Sequence, residues 1–261
     1  MQKSPEYDMI EIIAGLFCWR HRREDTQTMI YVTSDIHGDY IHFSQMTEKI
    51  GLSSEDRLYV LGDAVDKGKE NLRVLRHIYC SENICLIKGN HEYLCERYLT
   101  GTISGTIWDA CGGRNTREEV DGLTMEERMK LRDYLRGLPI YKKIKTGEKE
   151  YFLTHSGFYA DYEIRDPETG LVDIEASVLA AVEADQERYL FSDDIHYIPA
   201  SIQFDKRIIV GHYPTLFLPD FKCARIYHGR KYIDIDTGNE RRWEGGRLSC
   251  MRLEDGQEFY V

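Results

Sequence analysis

Three short apolar runs early in the chain each stop on a residue that can bind a metal or move a proton. Residues 29–34 (MIYVTS) stop at Asp35-Ile-His37-Gly, residues 57–61 (RLYVL) at Gly62-Asp63, and residues 84–87 (ICLI) at Gly89-Asn90-His91. Runs this short, rich in Val, Ile, Leu and Tyr, read as strands. Between them, residues 70–79 repeat Leu72, Leu75, Ile78 and Tyr79 at three- and four-residue steps, which is a helical face. Strand and helix in alternation argue for a mostly parallel sheet with helices on its faces. In such sheets ligands sit beyond the carboxyl ends of the strands.

The rest of the chain fits around that rhythm. Residues 100–117 hold several glycines, one Trp and little periodicity, and read as a long functional loop. Residues 124–137 are helical, stopped by Gly137 ahead of Pro139. Strands are expected at 140–144, 150–154, 207–210, 231–235 and 248–253, with a partly helical, acidic and Tyr-rich insertion at 160–195. The 261 residues show no repeat or Pro-rich linker, so 1–261 reads as one domain with that insertion. Lys+Arg 34 against Asp+Glu 45 gives a net charge of −11, which argues against nucleic acid polymers and anionic membranes as partners. Seven scattered cysteines without a CxxC pair, no run long enough to cross a bilayer and no evident leader point to a cytoplasmic protein.

Two later pieces join the three strand ends: His155-Ser156-Gly157 and Gly211-His212. Singly, each has an ordinary explanation. Gly-Asp is a common turn, Asn90 can cap a helix, and His155 or His212 alone reads as a packing residue. Jointly they offer carboxylate oxygen and imidazole where strands stop, a donor mixture suited to manganese, iron or zinc. Asp35, His37, Asp63, Asn90, His155 and His212 suffice for two divalent ions, with Asp63 as the natural bridge. Two ions about 3.5–4 Å apart bind a phosphoryl group and turn a bridging water into hydroxide. The leaving oxygen then needs a proton. His91 follows Asn90 and is the candidate general acid, with Asp66 to hold its ring.

The blocks DIHGD, GDAVDKG, GNHE, HSG and GHYPT resemble the signature blocks of the calcineurin-like metallophosphoesterases. More narrowly they resemble the bacterial phosphoprotein-phosphatase branch, which includes phage-lambda-type serine/threonine phosphatases and symmetrical diadenosine tetraphosphate hydrolases. Trp108 to Thr116 is similar to that branch's W-x-x-N-G-G-x-x-T segment, and Ile235-Asp-Thr-Gly238 to its I-D-T-G block. The resemblance implies a four-layer α/β architecture: a central sandwich of two mixed sheets flanked by helices, in place of one open sheet. It implies that Asp35 and His37 hold a first ion, that Asp63 bridges, and that Asn90, His155 and His212 hold a second. It also implies that His91 and Asp66 form the acid pair.

The chain departs from that pattern where phosphate is clamped. The family's usual Arg in the second block is Lys67, no Arg stands in Leu190-Phe-Ser-Asp193, and the Asn of the N-G-G segment is Cys111. Lys67, Lys88 and Arg114 are the candidates to supply the missing charge. His21, His42, His77, His196 and His228 match no block and read as surface or packing residues. Arg241-Arg242-Trp243 reads as a surface turn, although cation and aromatic neighbours can stack a base. Three functions follow: a manganese-dependent phosphatase acting on phosphorylated protein or a small phosphoester, a dinucleoside polyphosphate hydrolase, and a weakly catalytic metal-containing module that binds phosphorylated partners.

Overall fold

The structure is a computed structural model that describes residues 28–199 and 201–261. It opens with β1 (Ile30–Thr33), α1 (Tyr40–Lys49), β2 (Arg57–Val60), α2 (Asn71–Tyr79) and β3 (Ile84–Leu86). Four helices follow: α3 (Asn90–Leu99), α4 (Gly105–Ala110), α5 (Arg114–Asp121) and α6 (Met125–Arg136). Then come β4 (Tyr141–Thr146), β5 (Lys149–Thr154), α7 (Ile174–Leu190), β6 (Arg207–Val210), β7 (Tyr227–His228), β8 (Tyr232–Asp234), β9 (Ser249–Arg252) and β10 (Glu258–Tyr260).

The strands form two mixed five-stranded sheets, ordered β10-β9-β1-β2-β3 and β4-β5-β6-β8-β7. Each is built around three parallel strands, β1-β2-β3 in one and β5-β6-β8 in the other, with antiparallel neighbours at the margins. The single open sheet that alternation alone suggests is thereby replaced by the two-sheet sandwich.

Strand alternation explains the layers. Val32, Tyr59 and Leu61 of the first sheet meet Leu153, Ile209 and Ile233 of the second in one buried cluster between the sheets. Their neighbours Tyr31, Leu58 and Val60 point the other way, onto Phe43, Met46, Val74 and Ile78 of α1 and α2. Phe152, Ile208 and Val210 likewise leave the sandwich and pack on Val178 and Ala181 of α7. Strands buried on both faces must be apolar throughout, which is why they read as unbroken hydrophobic runs. Each such side chain contributes roughly 1.5–3 kcal/mol on burial.

The segment 100–117 corrects the expectation of a long loop: it holds all of α4 and the start of α5. Ser104 caps α4 by accepting the Ile107 N–H, and Trp108 is fully buried as the segment's anchor. The insertion at 160–195 is partly helical, with α7 at Ile174–Leu190 and a break in helical geometry at Asp185. The N-terminal stretch containing Cys18, Arg20 and His21 lies outside the described residues. Among those described, no helix is long and apolar enough to cross a membrane.

Candidate metal centre

All six metal-ligand candidates and the His91–Asp66 pair lie just beyond the carboxyl ends of strands in the two parallel triplets. Loops after β1 and β2 zip together by backbone bonds: the Asp35 N–H donates to Gly62 O (3.1 Å), His37 to Asp63 O (2.9 Å) and Gly38 to Ala64 O (2.9 Å). This arrangement drives the chain into left-handed geometry. Asp35, His37, Asp63, Asp66, Lys67 and His212 have φ between +51° and +76°; among the described residues Lys222 is the only other non-glycine at positive φ. Such backbone is costly and persists where surrounding bonds over-determine it, a condition typical of functional sites. Gly62 (φ +88°) and Gly89 are required for a different reason. A Cβ at Gly62 would lie 2.6 Å from His155 Nδ1, and one at Gly89 would lie 2.2 Å from Asp63 Oδ1.

The histidine rings are fixed by their back nitrogens. His37 Nδ1–H donates to Val65 O (3.0 Å) and His155 Nδ1–H to Leu61 O (2.7 Å). Both Nε2 lone pairs are thereby aimed at Asp63, 3.9 and 3.3 Å away. His212 presents Nδ1, 3.0 Å from Asn90 Oδ1 and 3.1 Å from His155 Nε2, while its own N–H donates to Asp35 Oδ2 (3.0 Å). Electrostatics agree with that layout for His37 and His212, while His155 without a cation facing it favours the protonated ring. Burial, reinforced by Lys67, holds His37 well below the ordinary histidine range, and burial beside His155 takes His212 down to about 3. Both are neutral, as metal ligands must be. Burial works against charge on His155 too, yet Asp63 and Asp35 override it and hold that ring up to about 9. Burial pushes Asp35 up to about 7, whereas Asp63, despite equal burial, is held well below the carboxylate range by His155, His91 and His37.

These donors fit a pair of cations. Asp35 Oδ1 is buried with no hydrogen-bond partner, an expensive arrangement for a carboxylate unless a positive ion faces it. Two donor groups, His37–Asp63–His91 and Asp63–His155–His212, each lie within 4.8 Å, and they share Asp63.

His91 stands where a proton donor is useful. Its Nδ1 is 2.7 Å from Asp66 Oδ2, and its Nε2 is 3.7 Å from Asp63 Oδ2. Burial pushes the imidazolium down, but Asp63 and Asp66 outweigh it and hold His91 above the ordinary histidine value. Asp66 is itself pinned: Trp108 Nε1–H donates to Oδ2 (2.8 Å) and the Thr116 hydroxyl to Oδ1 (2.5 Å). Trp108 and Thr116, noticed in the sequence only as part of a segment, thus serve the acid pair.

Glu92 enters the sequence reading only as the last letter of the GNHE block, with no role given to it. It is fully buried and accepts the N–H groups of Asp63 (2.8 Å), Ala64 (2.8 Å) and Gly89 (2.9 Å), locking the β2 loop to the start of α3. A Glu three residues after Gly89, at the third helical position, was the available signal. Asn90 is the first residue of α3, and Gly89, not Asn90, is its cap.

The three candidate phosphate cations part company. Lys67 Nζ lies 3.0 Å from His37 Nε2. Lys88 is only 3% exposed and gives its ammonium to Glu96 (2.8 Å) and the Arg136 carbonyl (3.5 Å), bracing α3 against α6. Arg114 is 74% exposed and pairs with Glu118 one turn along α5. Lys88 is thus committed to Glu96 and Arg114 faces solvent, while Lys67 reaches a donor of the centre. His77 packs on Phe43 and Tyr40, and His196 is buried beside Tyr232 and Asp234, both as packing residues.

The profile of the calcineurin-like phosphoesterase family matches residues 28–243. The chain belongs to that family. Its members use a dinuclear metal centre, and this chain has candidate metal-binding residues grouped around Asp63. Serine/threonine-protein phosphatase 2 of Salmonella typhimurium is 29% identical over 237 residues, covering 88% of this chain and 95% of that protein. The symmetrical bis(5'-nucleosyl)-tetraphosphatase of Nitrosomonas europaea is 27% identical over 150 residues, 57% of this chain and only 52% of that protein. The chain thus spans about half the length of that tetraphosphatase. A crystal structure provisionally described as a diadenosine tetraphosphatase superposes with a TM-score of 0.60 at 14% identity, covering 90% of this chain and 93% of its own, which establishes the shared fold.

Proposed function

We propose that this chain is a metal-dependent phosphoester hydrolase, a serine/threonine-type protein phosphatase that uses two divalent ions, manganese first and iron or zinc as alternatives, and His91 as general acid. The observation that carries this is the sharing of Asp63 by two donor groups, one of which includes His91, whose Nδ1 is 2.7 Å from Asp66. A module that only binds phosphate has no use for a proton donor. Near full-length similarity to a serine/threonine-protein phosphatase supports the protein-phosphatase reading over the alternative.

Asp35, His37 and Asp63 would hold the first ion, and Asp63, Asn90, His155 and His212 the second. When bound, the two ions would supply Lewis acidity toward the phosphoryl oxygens and make water acidic enough to attack at neutral pH. The protein does the rest. Val65 and Leu61 carbonyls fix the ring tautomers, Glu92 fixes the Asp63 backbone, and His91 holds the proton that the departing oxygen needs. Asp66 keeps that proton on the ring's outer nitrogen, Nε2, by occupying Nδ1.

One observation favours the dinucleotide alternative. Tyr213 directly follows His212, and beyond it Phe217 and the 74% exposed Trp243 flank the Arg241 guanidinium at 5.5 and 5.6 Å. Such a strip can stack a nucleobase. Manganese-loaded protein offered para-nitrophenyl phosphate, a phosphoserine peptide and diadenosine tetraphosphate separates the readings. Faster turnover of the dinucleotide than of the peptide would remove the protein-phosphatase reading. His91→Ala should keep its metal and lose about 10²–10⁴ in rate; an unchanged rate would take His91 out of the reaction.

A further inference from the structure

The loop after β8 carries a carboxylate that neither the metal donors nor the acid pair uses. Glu240 is only 9% exposed at its side chain, Oε1 lies 3.5 Å from Lys67 Nζ, and Oε2 is buried without a hydrogen-bond partner. It reaches this place because the turn Asn239–Glu244 is fastened to the β1 loop. Asn239 Nδ2–H donates to Ile36 O (2.8 Å), and Arg242 bonds both Asn239 Oδ1 (2.7 Å) and Asp39 Oδ2 (3.3 Å).

Lys67 is constrained from the opposite side. Its N–H donates to Gly112 O (2.9 Å) and its carbonyl accepts from Asn115 Nδ2 (3.3 Å), so its stem starts from a fixed, left-handed backbone. The ammonium at the end of that stem is another matter. A lysine is a flexible point charge, where an arginine would bring its own rigid fork. Deeper in the centre, His37 Nε2 is already within 3.0 Å. Once cations fill that centre, they repel an ammonium, and a free stem would swing it toward solvent.

We propose that Glu240 is a positioning residue that holds the Lys67 ammonium at the rim of the metal centre, where Lys67 clamps the phosphoryl oxygens in place of an arginine. The inference rests on the phosphoester-hydrolase site described above and specifies how that site grips phosphate. A carboxylate beside an anion-binding spot would by itself repel phosphate. Its benefit comes only through Lys67, and this sets the test.

Manganese-loaded wild type, Lys67→Met, Glu240→Gln and the double variant are titrated calorimetrically with inorganic phosphate. The kcat and KM for para-nitrophenyl phosphate are measured separately. Glu240→Gln keeps the side-chain shape and is expected to weaken phosphate binding about 3–10-fold, and Lys67→Met about 10–100-fold, the loss of one charge-assisted contact. The double variant should be no worse than Lys67→Met, because Glu240 acts through Lys67. Lys67→Arg should make binding indifferent to Glu240→Gln. The losses should appear in KM and phosphate affinity, with kcat within about 3-fold, as removal of ground-state binding requires. Tighter phosphate binding in Glu240→Gln, or additive losses in the double variant, would overturn the proposal. A wild type that neither binds phosphate nor hydrolyses the ester would overturn the hydrolase site itself.

Discussion

Replacing Asp66 by Asn isolates the charge behind the general acid while leaving its geometry almost intact. Asp66 Oδ2 takes the His91 Nδ1–H at 2.7 Å and the Trp108 Nε1–H at 2.8 Å, and Oδ1 takes the Thr116 hydroxyl. An amide oxygen can keep the first two bonds, and the Thr116 hydroxyl can turn to accept from the new N–H, so folding should survive. What disappears is the negative charge facing an imidazolium. A hydrogen bond to a charged group contributes about 1.5–3 kcal/mol and a neutral one about 0.5–1.5, a difference of roughly 1–2 kcal/mol, or about one pKa unit. His91 is raised above its ordinary value in the wild type. It is therefore protonated, and competent as an acid, at low pH and loses that proton as pH rises through its folded value. The alkaline limb of the pH–kcat profile should move down by about one unit in Asp66→Asn. The accompanying rate loss should be about 10–100-fold on a phosphoserine peptide, whose alkoxide must be protonated, and much smaller on para-nitrophenyl phosphate. Equal losses on the two substrates, or an unmoved limb, would refute the assignment of His91 and Asp66.

Trp108→Phe removes the indole N–H from Asp66 and leaves a gap in a fully buried site, so denaturation should show a loss of about 2–4 kcal/mol. Gly89→Ala puts a Cβ 2.2 Å from Asp63 Oδ1, and it should reduce bound manganese measured by elemental analysis; full metal content would contradict the role given to Asp63. Manganese should raise the unfolding temperature and EDTA lower it, since each ion at 100 times its Kd adds about 2.7 kcal/mol; an unchanged melting curve would argue against ion binding. In the absence of metal, the raised His91 contributes stability that is full below its unfolded pKa of about 6.5 and is lost as pH rises through the folded value. Asp66→Asn should flatten that slope in denaturation series.

The centre was legible because its ligands follow strands buried on both faces, and buried strands announce themselves as apolar runs that end abruptly. Residues 30–33, 57–60 and 84–86 are found almost where the sequence placed them, with Asp35, Asp63 and Asn90 just beyond. Helices α4 and α5 were not legible. Their six and eight residues are too short for a periodic face, and what holds the segment is Trp108 reaching Asp66, a contact 42 residues away. The pairing of Lys67 with Glu240 spans a still longer separation, which no local pattern encodes. Strands β7 and β10, two and three residues long at the sheet margins, likewise lacked a signal of their own. Lys88 and Arg114 stand out by charge, and their partners are Glu96, on the helix that follows Lys88, and Glu118, one turn along the helix of Arg114.

The most direct test is anomalous diffraction from a crystal grown with manganese. Two peaks are expected on either side of Asp63, one reached by Asp35 and His37, the other by Asn90, His155 and His212. A single ion, or ions seated away from Asp63, would contradict the account.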